Sequence, residues 1–324
     1  STALVVRARL LSVKVDIAQG KYHHAIKRIH VAVEEARLHG EQLHFVRQLE
    51  LLRAETLVLL GSRDAAIREL TTLRDAFISG HSCECLPYVE LVRVLSFVLR
   101  SQAMEGPNSS QTLQRVFTLL EEAESVLDRV LRRDGWIGAD VDTATDKRMS
   151  LFNPNVVAFV QLKAEIGQAL METPVVDPKD NASRLRRALL AIESALKSVD
   201  HSLKSLAPTK ARLLLQKGVI LKKLVSCDSA SSRCEDLFEQ CAATLLASVE
   251  EDIRVGVGSH DRDLIRFAFM ELVDLYGAKP IKDKEAEHLQ AAFHYLNLAL
   301  LLYVDVAEGR VELGFGGRIH IFFV

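Results

Sequence analysis

The chain has 324 residues, of which 48% are hydrophobic and 26% are charged, and its formal net charge is −2. This composition supports a folded core and argues against a disordered chain. The balance of 41 basic and 43 acidic residues argues against a nucleic-acid binder that works by charge, because such proteins carry a basic excess.

The cysteines and the hydropathy pattern predict a protein of a reducing compartment. The chain has five cysteines, an odd number that leaves at least one thiol unpaired, and a low cysteine density is typical of intracellular proteins. No signal peptide is predicted, because the apolar start is interrupted by Arg7, Arg9, Lys14 and Asp16. No stretch reaches the roughly 18 uninterrupted apolar residues of a membrane span, so we expect a cytoplasmic protein that does not enter a membrane. The sequence begins at Ser1 and ends on an apolar run at Val324, and we expect it to be part of a longer polypeptide.

The first four predicted helices form two pairs. Residues 3–19 are predicted to form the first helix, whose apolar stripe at helical spacing is Leu4, Ala8, Leu11, Val15 and Ala18. Residues 22–39 are predicted to form its partner, with an apolar face made of Ile26, Ile29, Val33 and Ala36. A second pair is predicted over 42–60 and 63–79, and its apolar stripe includes Phe45, Leu49, Leu52, Leu59, Ile67, Leu70, Leu73 and Phe77.

Two related stretches lie between the helices of these pairs. Gly20 is followed five residues later by Ala25, and Gly61 is followed five residues later by Ala66. With Gly40 and Gly80, these glycines divide residues 1–80 into segments of nearly equal length. We expect a glycine just past a helix end to take the left-handed conformation, which costs glycine nothing. We expect Ala25 and Ala66 to lie where two helix backbones cross, and Tyr22 to fill the wedge at the first turn. The alternative interpretation is an ordinary helical bundle in which the glycines are coincidental.

A third pair is predicted over 86–104 and 110–132, and the second of these helices has a long apolar stripe made of Leu113, Phe117, Leu120, Ala123, Leu127 and Val130. Residues 133–153 then show no helical period and contain the only tryptophan, Trp136. A loop of this length between compact repeats is uncommon and often functional. We predict either a protruding element with Trp136 as a partner contact or a disordered insertion.

The second half of the chain is predicted to form further helices at 154–171, 181–199, 209–225, 232–253, 260–276 and 283–307. The first of them has a typical start, with Asn153 as the cap and Pro154 in the first turn. The tail 310–324 mixes glycines with alternating apolar residues, which predicts an extended segment with Phe315 and Phe322 as partner contacts. The predicted organisation is therefore helical repeats over 1–132, an irregular loop at 133–153, helical repeats over 154–309 and the tail 310–324.

Around Gly20 the sequence resembles the tetratricopeptide repeat family, because Gly20, Tyr22 and Ala25 match the turn and second-helix start of that motif. The second copy keeps Gly61 and Ala66 but has Arg63 where the first has a tyrosine, and its interval is longer than the standard repeat. The resemblance implies an all-α fold, an α-solenoid of antiparallel helical hairpins in long, degenerate repeats with a concave protein-binding face. The long hairpins are also similar in texture to those of very large ciliary and flagellar central-apparatus projection proteins, which implies a place in the axoneme. Cohesin-loading and kinesin-binding helical-repeat proteins are similar in texture as well, and we rank the axonemal interpretation first.

One cluster of potential metal ligands occurs in the sequence. His81, Cys83 and Cys85 lie close together, but structural zinc sites use wider cysteine spacing and a second ligand pair. The expected structure is therefore a loop with reduced thiols. The glycine-rich stretch 314–317 lacks the lysine and hydroxyl residue of a phosphate-binding loop. We predict no metal, no cofactor and no catalytic residue.

The remaining cysteines and the paired histidines have ordinary structural interpretations. Cys234 and Cys241 are seven residues apart on one helix face, which predicts that they pack in the core as small hydrophobic residues. Cys227 is predicted to lie in a loop as an exposed thiol. His23 and His24 point about 100° apart on a helix, so we expect them to be solvated and not to share a metal ion.

These observations favour a non-enzymatic structural scaffold that holds other proteins in a large intracellular assembly. Its expected partners are other protein subunits, and not nucleic acid, a membrane or a small-molecule substrate. The alternative is an adaptor that binds a peptide in a concave repeat groove. An enzyme with a helical fold is a third hypothesis, for which the sequence offers no motif.

Overall fold

The protein is all-helical throughout the part of the chain that the structure describes. The computed structural model describes residues 2–38, 43–103, 109–134, 154–173, 178–200, 207–227, 234–254, 261–278 and 284–308. These residues form twelve helices: α1 Thr2–Ala18, α2 Tyr22–Leu38, α3 Leu43–Leu59, α4 Arg63–Ser79, α5 Leu86–Ala103, α6 Ser109–Arg133, α7 Pro154–Glu172, α8 Pro178–Asp200, α9 Ala207–Cys227, α10 Cys234–Arg254, α11 Arg262–Ala278 and α12 Glu285–Glu308. The predicted all-α class is therefore confirmed, and each predicted helix is present with small shifts at its ends.

Within α1–α7 and within α9–α12, helices that follow each other in sequence also contact each other in space. Each helix from α1 to α6 contacts the next one, and α7 packs on both α5 and α6. The first helices of successive pairs also touch, because α1 contacts α3, α3 contacts α5 and α5 contacts α7. The second part of the chain repeats this pattern, with contacts α9 to α10, α10 to α11, α11 to α12 and α9 to α11.

The first four helices have the same length, 17 residues each, or about 26 Å at 1.5 Å per residue. The turn after α1 places Gly20 at φ +71°, and the turn after α3 places Gly61 at φ +78°. In the second turn the N–H of Gly61 donates to the Val58 carbonyl and the N–H of Ser62 to the Leu57 carbonyl, each at 2.9 Å. This pair of bonds is the Schellman motif, which requires a left-handed residue just past the helix end.

The expectation that Gly80 also takes the left-handed conformation is wrong. Gly80 has φ −83°, and the left-handed residue is its neighbour His81, at φ +47°. The Schellman bonds follow this shift, because the N–H groups of His81 and Ser82 donate to the carbonyls of Ile78 and Phe77. The left-handed residue is the second one past the helix end in all three turns, and α4 runs one residue further than glycine at that position would require, to Ser79. Gly40 lies outside the described residues.

Small side chains fill the helix crossings next to the glycine turns. Ala25 and Ala66 are each 0% exposed, and the N–H of each donates to the backbone carbonyl of the residue that precedes its helix, Lys21 or Ser62. Tyr22 begins α2 and is partly buried.

The predicted apolar faces agree with the buried faces in α2 and α6 but not in α1. In α1 the core residue is Val13, with Leu10 and Ile17 beside it, whereas the predicted stripe members Leu11 and Val15 are exposed. The first helix is apolar on several sides, so more than one stripe satisfies the helical period.

The described helices belong to two compact units. The first contains α1 to α7 and residues 190–200 of α8, and the second contains residues 181–189 of α8 and α9 to α12. The predicted boundary at 133–153 therefore falls within the first unit. Of that segment the structure describes Arg133, the last residue of α6, and Asp134; Trp136 and the tail with Phe315 and Phe322 lie outside the described residues.

Candidate interaction surfaces

Among the described residues, the last helix has one apolar face that is buried and a second that is exposed. Its covered face contains Ala292, Tyr295 and Ala299, all buried. A second stripe contains Leu289, Phe293 and Leu300, which lie within about 40° of one another at 100° per residue. All three are exposed, and Phe293 is 66% exposed. We call these three residues the α12 apolar face.

Other large apolar side chains are exposed close to this stripe in the sequence or on the adjacent helix. Leu301 follows Leu300 and is exposed, and α11, which packs against α12, exposes Phe267 and Met270. Singly exposed apolar residues are ordinary on protein surfaces, but a concentration of them indicates an interaction site. The sequence contained a signal for this surface, because residues 285–302 are apolar on more than one side, and such a helix is normally buried all round.

A cluster of aromatic rings fixes the covered side of α12. Phe238 of α10 stacks on His288 of α12 with ring centres 4.9 Å apart, and the Tyr276 ring of α11 is nearly perpendicular to both rings, with ring centres at 5.1 and 5.3 Å. Tyr276 also stacks on Tyr295 at 5.8 Å. Burial lowers the pKa of His288, so its ring is held neutral among the aromatic groups. The orientation of α12, and therefore of its exposed stripe, is set by these contacts.

The first helices of the pairs carry a buried network of charges that the sequence did not reveal. Arg100 of α5 is only 7% exposed. Its Nε donates to Glu165 of α7 at 2.8 Å, a second nitrogen donates to the same carboxylate at 3.3 Å, and a third bonds Glu172. Burial acts to lower the pKa of Arg100, but the hydrogen bonds and charges of the two carboxylates raise it on balance. The network fixes α5 against α7 and leaves little of its charge for a ligand.

On the neighbouring helix α3, the carboxylate of Glu55 has its charged form disfavoured, whereas the charged form of Arg100 is favoured. Glu55 is partly buried, and its pKa is raised by burial first and then by the negative charge of Glu90, against the opposing charge of Arg93. Arg93 itself bonds Glu90 through two nitrogens. The fold therefore favours the protonated form of the Glu55 carboxyl group.

The predicted core position of the helix cysteines is confirmed for Cys241, which is 0% exposed. Its thiol donates to the Gly218 carbonyl at 3.2 Å, and burial raises its pKa to about 12. Cys234 is partly buried. The predicted loop position of Cys227 is wrong, because this residue ends α9, is partly buried and accepts a hydrogen bond from Asn181 at 3.4 Å.

The two thiols between α4 and α5 and the paired histidines have structural positions, and the described residues around them form no metal site. Cys83 and Cys85 both pack against the core of the first unit, and burial raises the pKa of Cys85. His23 and His24 are both exposed, and His24 Nδ1 lies 3.0 Å from the Asp16 carboxylate. Among the described residues there is no group of three or more His, Cys, Asp or Glu side chains placed to hold a metal ion.

No protein-family model and no curated protein matches the chain. Within the described ranges, no helix is both long and apolar enough to cross a membrane.

Proposed function

We propose that the chain is a non-enzymatic structural scaffold that holds other protein subunits in a large intracellular assembly. The observation that carries the proposal is the α12 apolar face. A helix that is apolar on two sides is stable in water only when a partner covers the second side. Leu289, Phe293 and Leu300 form the surface that this partner covers.

The contacts between helices support an α-solenoid as the architecture of this scaffold. Sequential pairs touch, and the first helices of successive pairs form a continuous series of contacts from α1 to α7. Each pair in such a stack contacts only its neighbours and presents the same kind of surface to the next element. An amphipathic helical surface of another subunit is therefore the natural complement of the α12 apolar face. The proposed assembly is the ciliary or flagellar axoneme, to which the resemblance in repeat texture points, and its partners are proteins, without a cofactor, nucleic acid, membrane or small-molecule substrate.

The test compares two equally exposed apolar residues. Phe293 on the α12 apolar face and Leu190 on α8 are each 66% exposed. We expect Phe293→Asp to abolish concentration-dependent association of the isolated chain in analytical ultracentrifugation, and to remove the subunits that copurify with the native protein. Leu190→Asp should change neither result. The scaffold proposal fails if the wild-type chain is a monomer at all concentrations and its copurifying subunits survive Phe293→Asp.

The adaptor hypothesis predicts a different result. An adaptor would be a monomer at every concentration, and Phe293→Asp would change neither its oligomeric state nor the proteins that copurify with it.

A further inference from the structure

A charged groove lies between the second helices of the first two pairs. α2 and α4 each pack on α3, and α3 forms the floor of a cavity of about 560 Å³ between them. Its charged lining consists of Arg37, Arg47, Arg53, Arg68, Glu50 and Glu69. We call this cavity the arginine groove.

Two of the four arginines have carboxylate partners inside the groove. Arg37 of α2 bonds Glu50 of α3 at 2.7 Å, and Arg53 of α3 bonds Glu69 of α4 at 2.9 Å. Arg47 and Arg68 remain, and within the described ranges neither forms an ion pair with a carboxylate. The lining therefore carries an excess of two positive charges, which other residues of the groove do not neutralise.

Arg47 is held in place by neutral groups. Its guanidinium lies 3.9 Å from the centre of the Phe77 ring, and one of its nitrogens donates to the Ser82 hydroxyl at 2.8 Å. A guanidinium that is stacked and hydrogen-bonded before binding loses little conformational freedom when it meets an anion. The planar group also offers further N–H donors in the geometry that suits a carboxylate.

The groove has the features expected for a peptide. Val46, Leu73 and Ala76 supply apolar lining between the charged side chains. A peptide can place a carboxylate at each of two separated cations and an apolar side chain between them. A nucleic-acid strand carries a continuous row of phosphates, which Glu50 and Glu69 would repel. Its bases also need open aromatic faces for stacking, and Arg47 covers the face of Phe77.

We propose that the arginine groove binds an acidic peptide segment of another protein. Arg47 and Arg68 each donate hydrogen bonds to one carboxylate of the segment, and an apolar residue of the segment lies between them. This binding activity is separate from the α12 apolar face and does not depend on it.

The test uses the full chain and fluorescence anisotropy with a labelled peptide in which glutamates flank one leucine. We expect saturable binding, and we expect Arg47→Gln and Arg68→Gln each to weaken it about tenfold, since each removes one charge-assisted contact. The matched control is Arg115→Gln, which removes an exposed arginine of α6 outside the groove and should leave the affinity within about twofold. A peptide with glutamine in place of glutamate should not bind, and added salt should weaken the acidic peptide.

Three results would overturn the proposal. The first is the absence of saturable binding by the acidic peptide. The second is equal weakening by Arg68→Gln and Arg115→Gln, which would show that overall charge and not the groove attracts the peptide. The third is tighter binding of a single-stranded oligonucleotide with the same dependence on Arg68, which would make nucleic acid the ligand. Because Arg68 is exposed, its variant remains folded and informative even if Arg47→Gln disturbs the contact with Phe77.

Discussion

The contact between α9 and α10 in the second unit depends on one glycine, and its replacement tests the fold directly. Gly218 of α9 faces Leu245 of α10, and a Cβ built on Gly218 would lie 2.4 Å from Leu245 Cδ2 and 2.6 Å from Leu245 Cγ. Ordinary carbon contacts are about 3.5–4.0 Å, so the added methyl group is about 1 Å too close. Leu245 is 0% exposed, so its side chain cannot move out into solvent.

The expected effect follows from two opposing contributions. Alanine is favoured over glycine in a helix interior by up to about 1 kcal/mol, whereas overpacking a tight core costs about 1–3 kcal/mol. Gly218→Ala should therefore lower the free energy of unfolding by up to about 2 kcal/mol. Gly277 of α11 is the matched control, because a Cβ there meets nothing within 4 Å. Gly277→Ala should leave stability unchanged or raise it.

Urea unfolding followed by circular dichroism measures both variants, and alkylation of Cys241 reports on this crossing alone. The Cys241 thiol donates to the Gly218 carbonyl, so a displaced α10 should expose it and speed its modification in Gly218→Ala but not in Gly277→Ala. A double-mutant cycle with Leu245→Ala identifies the cause, because the smaller residue should relieve the clash and make the two changes less than additive. The reasoning is refuted if Gly218→Ala is as stable as Gly277→Ala and Cys241 stays equally protected.

Three further predictions concern the turns and the charge network. Gly61→Ala should lower stability by about 1–2 kcal/mol, because the left-handed backbone at φ +78° disfavours a Cβ. His81→Gly should raise stability for the same reason. Thermal unfolding that shows both changes to be neutral would contradict the assignment of strain. Arg100→Ala should lower stability by about 3–5 kcal/mol by leaving a buried carboxylate unpaired, whereas Arg100→Met combined with Glu165→Leu should lower it much less. Equal losses of unfolding free energy in urea would argue against a buried pair. Glu55→Gln should raise the melting temperature near pH 7 and leave it unchanged below the ordinary glutamate pKa of 4.5. A raised pKa in the folded state means that the fold favours the protonated form and loses this stabilisation as pH rises, so an effect that persists at about pH 4 would exclude this cause.

The helices could be predicted from the sequence because their signals are local. Helical spacing of apolar residues fixed the position of α6, whose predicted stripe includes the buried residues Leu120, Ala123 and Leu127. Glycine at the left-handed position fixed the ends of α1 and α3. These features depend on a few neighbouring residues, and long periodic segments are the most reliable part of such predictions.

The errors arose where local patterns allow several solutions. In α1 the stripe through Leu11 and Val15 and the stripe through Leu10, Val13 and Ile17 both satisfy a helical period, and only the contacts with α2 and α3 select the second. At the end of α4, glycine was expected at the left-handed position, but histidine tolerates that region better than bulky or branched residues do. The left-handed position could therefore fall on His81 instead of Gly80.

The charged surfaces could not be predicted because they join residues that are distant in sequence. Arg100 and Glu165 are 65 positions apart, and nothing near either residue indicates the other. The arginine groove likewise needs α2, α3 and α4 side by side before Arg47 and Arg68 can be distinguished from the paired arginines. The identity of an unpaired cation is a property of the packed helices and not of any one segment.

The two proposed surfaces should differ in the lifetime of the complexes they form. The α12 apolar face presents leucine and phenylalanine side chains, and apolar interfaces of this kind are typical of permanent assemblies. The arginine groove presents two cations at the surface, whose attraction for carboxylates weakens as salt rises. A scaffold with both would stay attached to its assembly through α12 while the groove exchanged its acidic segment. High salt should therefore release a bound acidic peptide from the native complex but leave the copurifying subunits in place, and release of both together would show that one surface does both tasks.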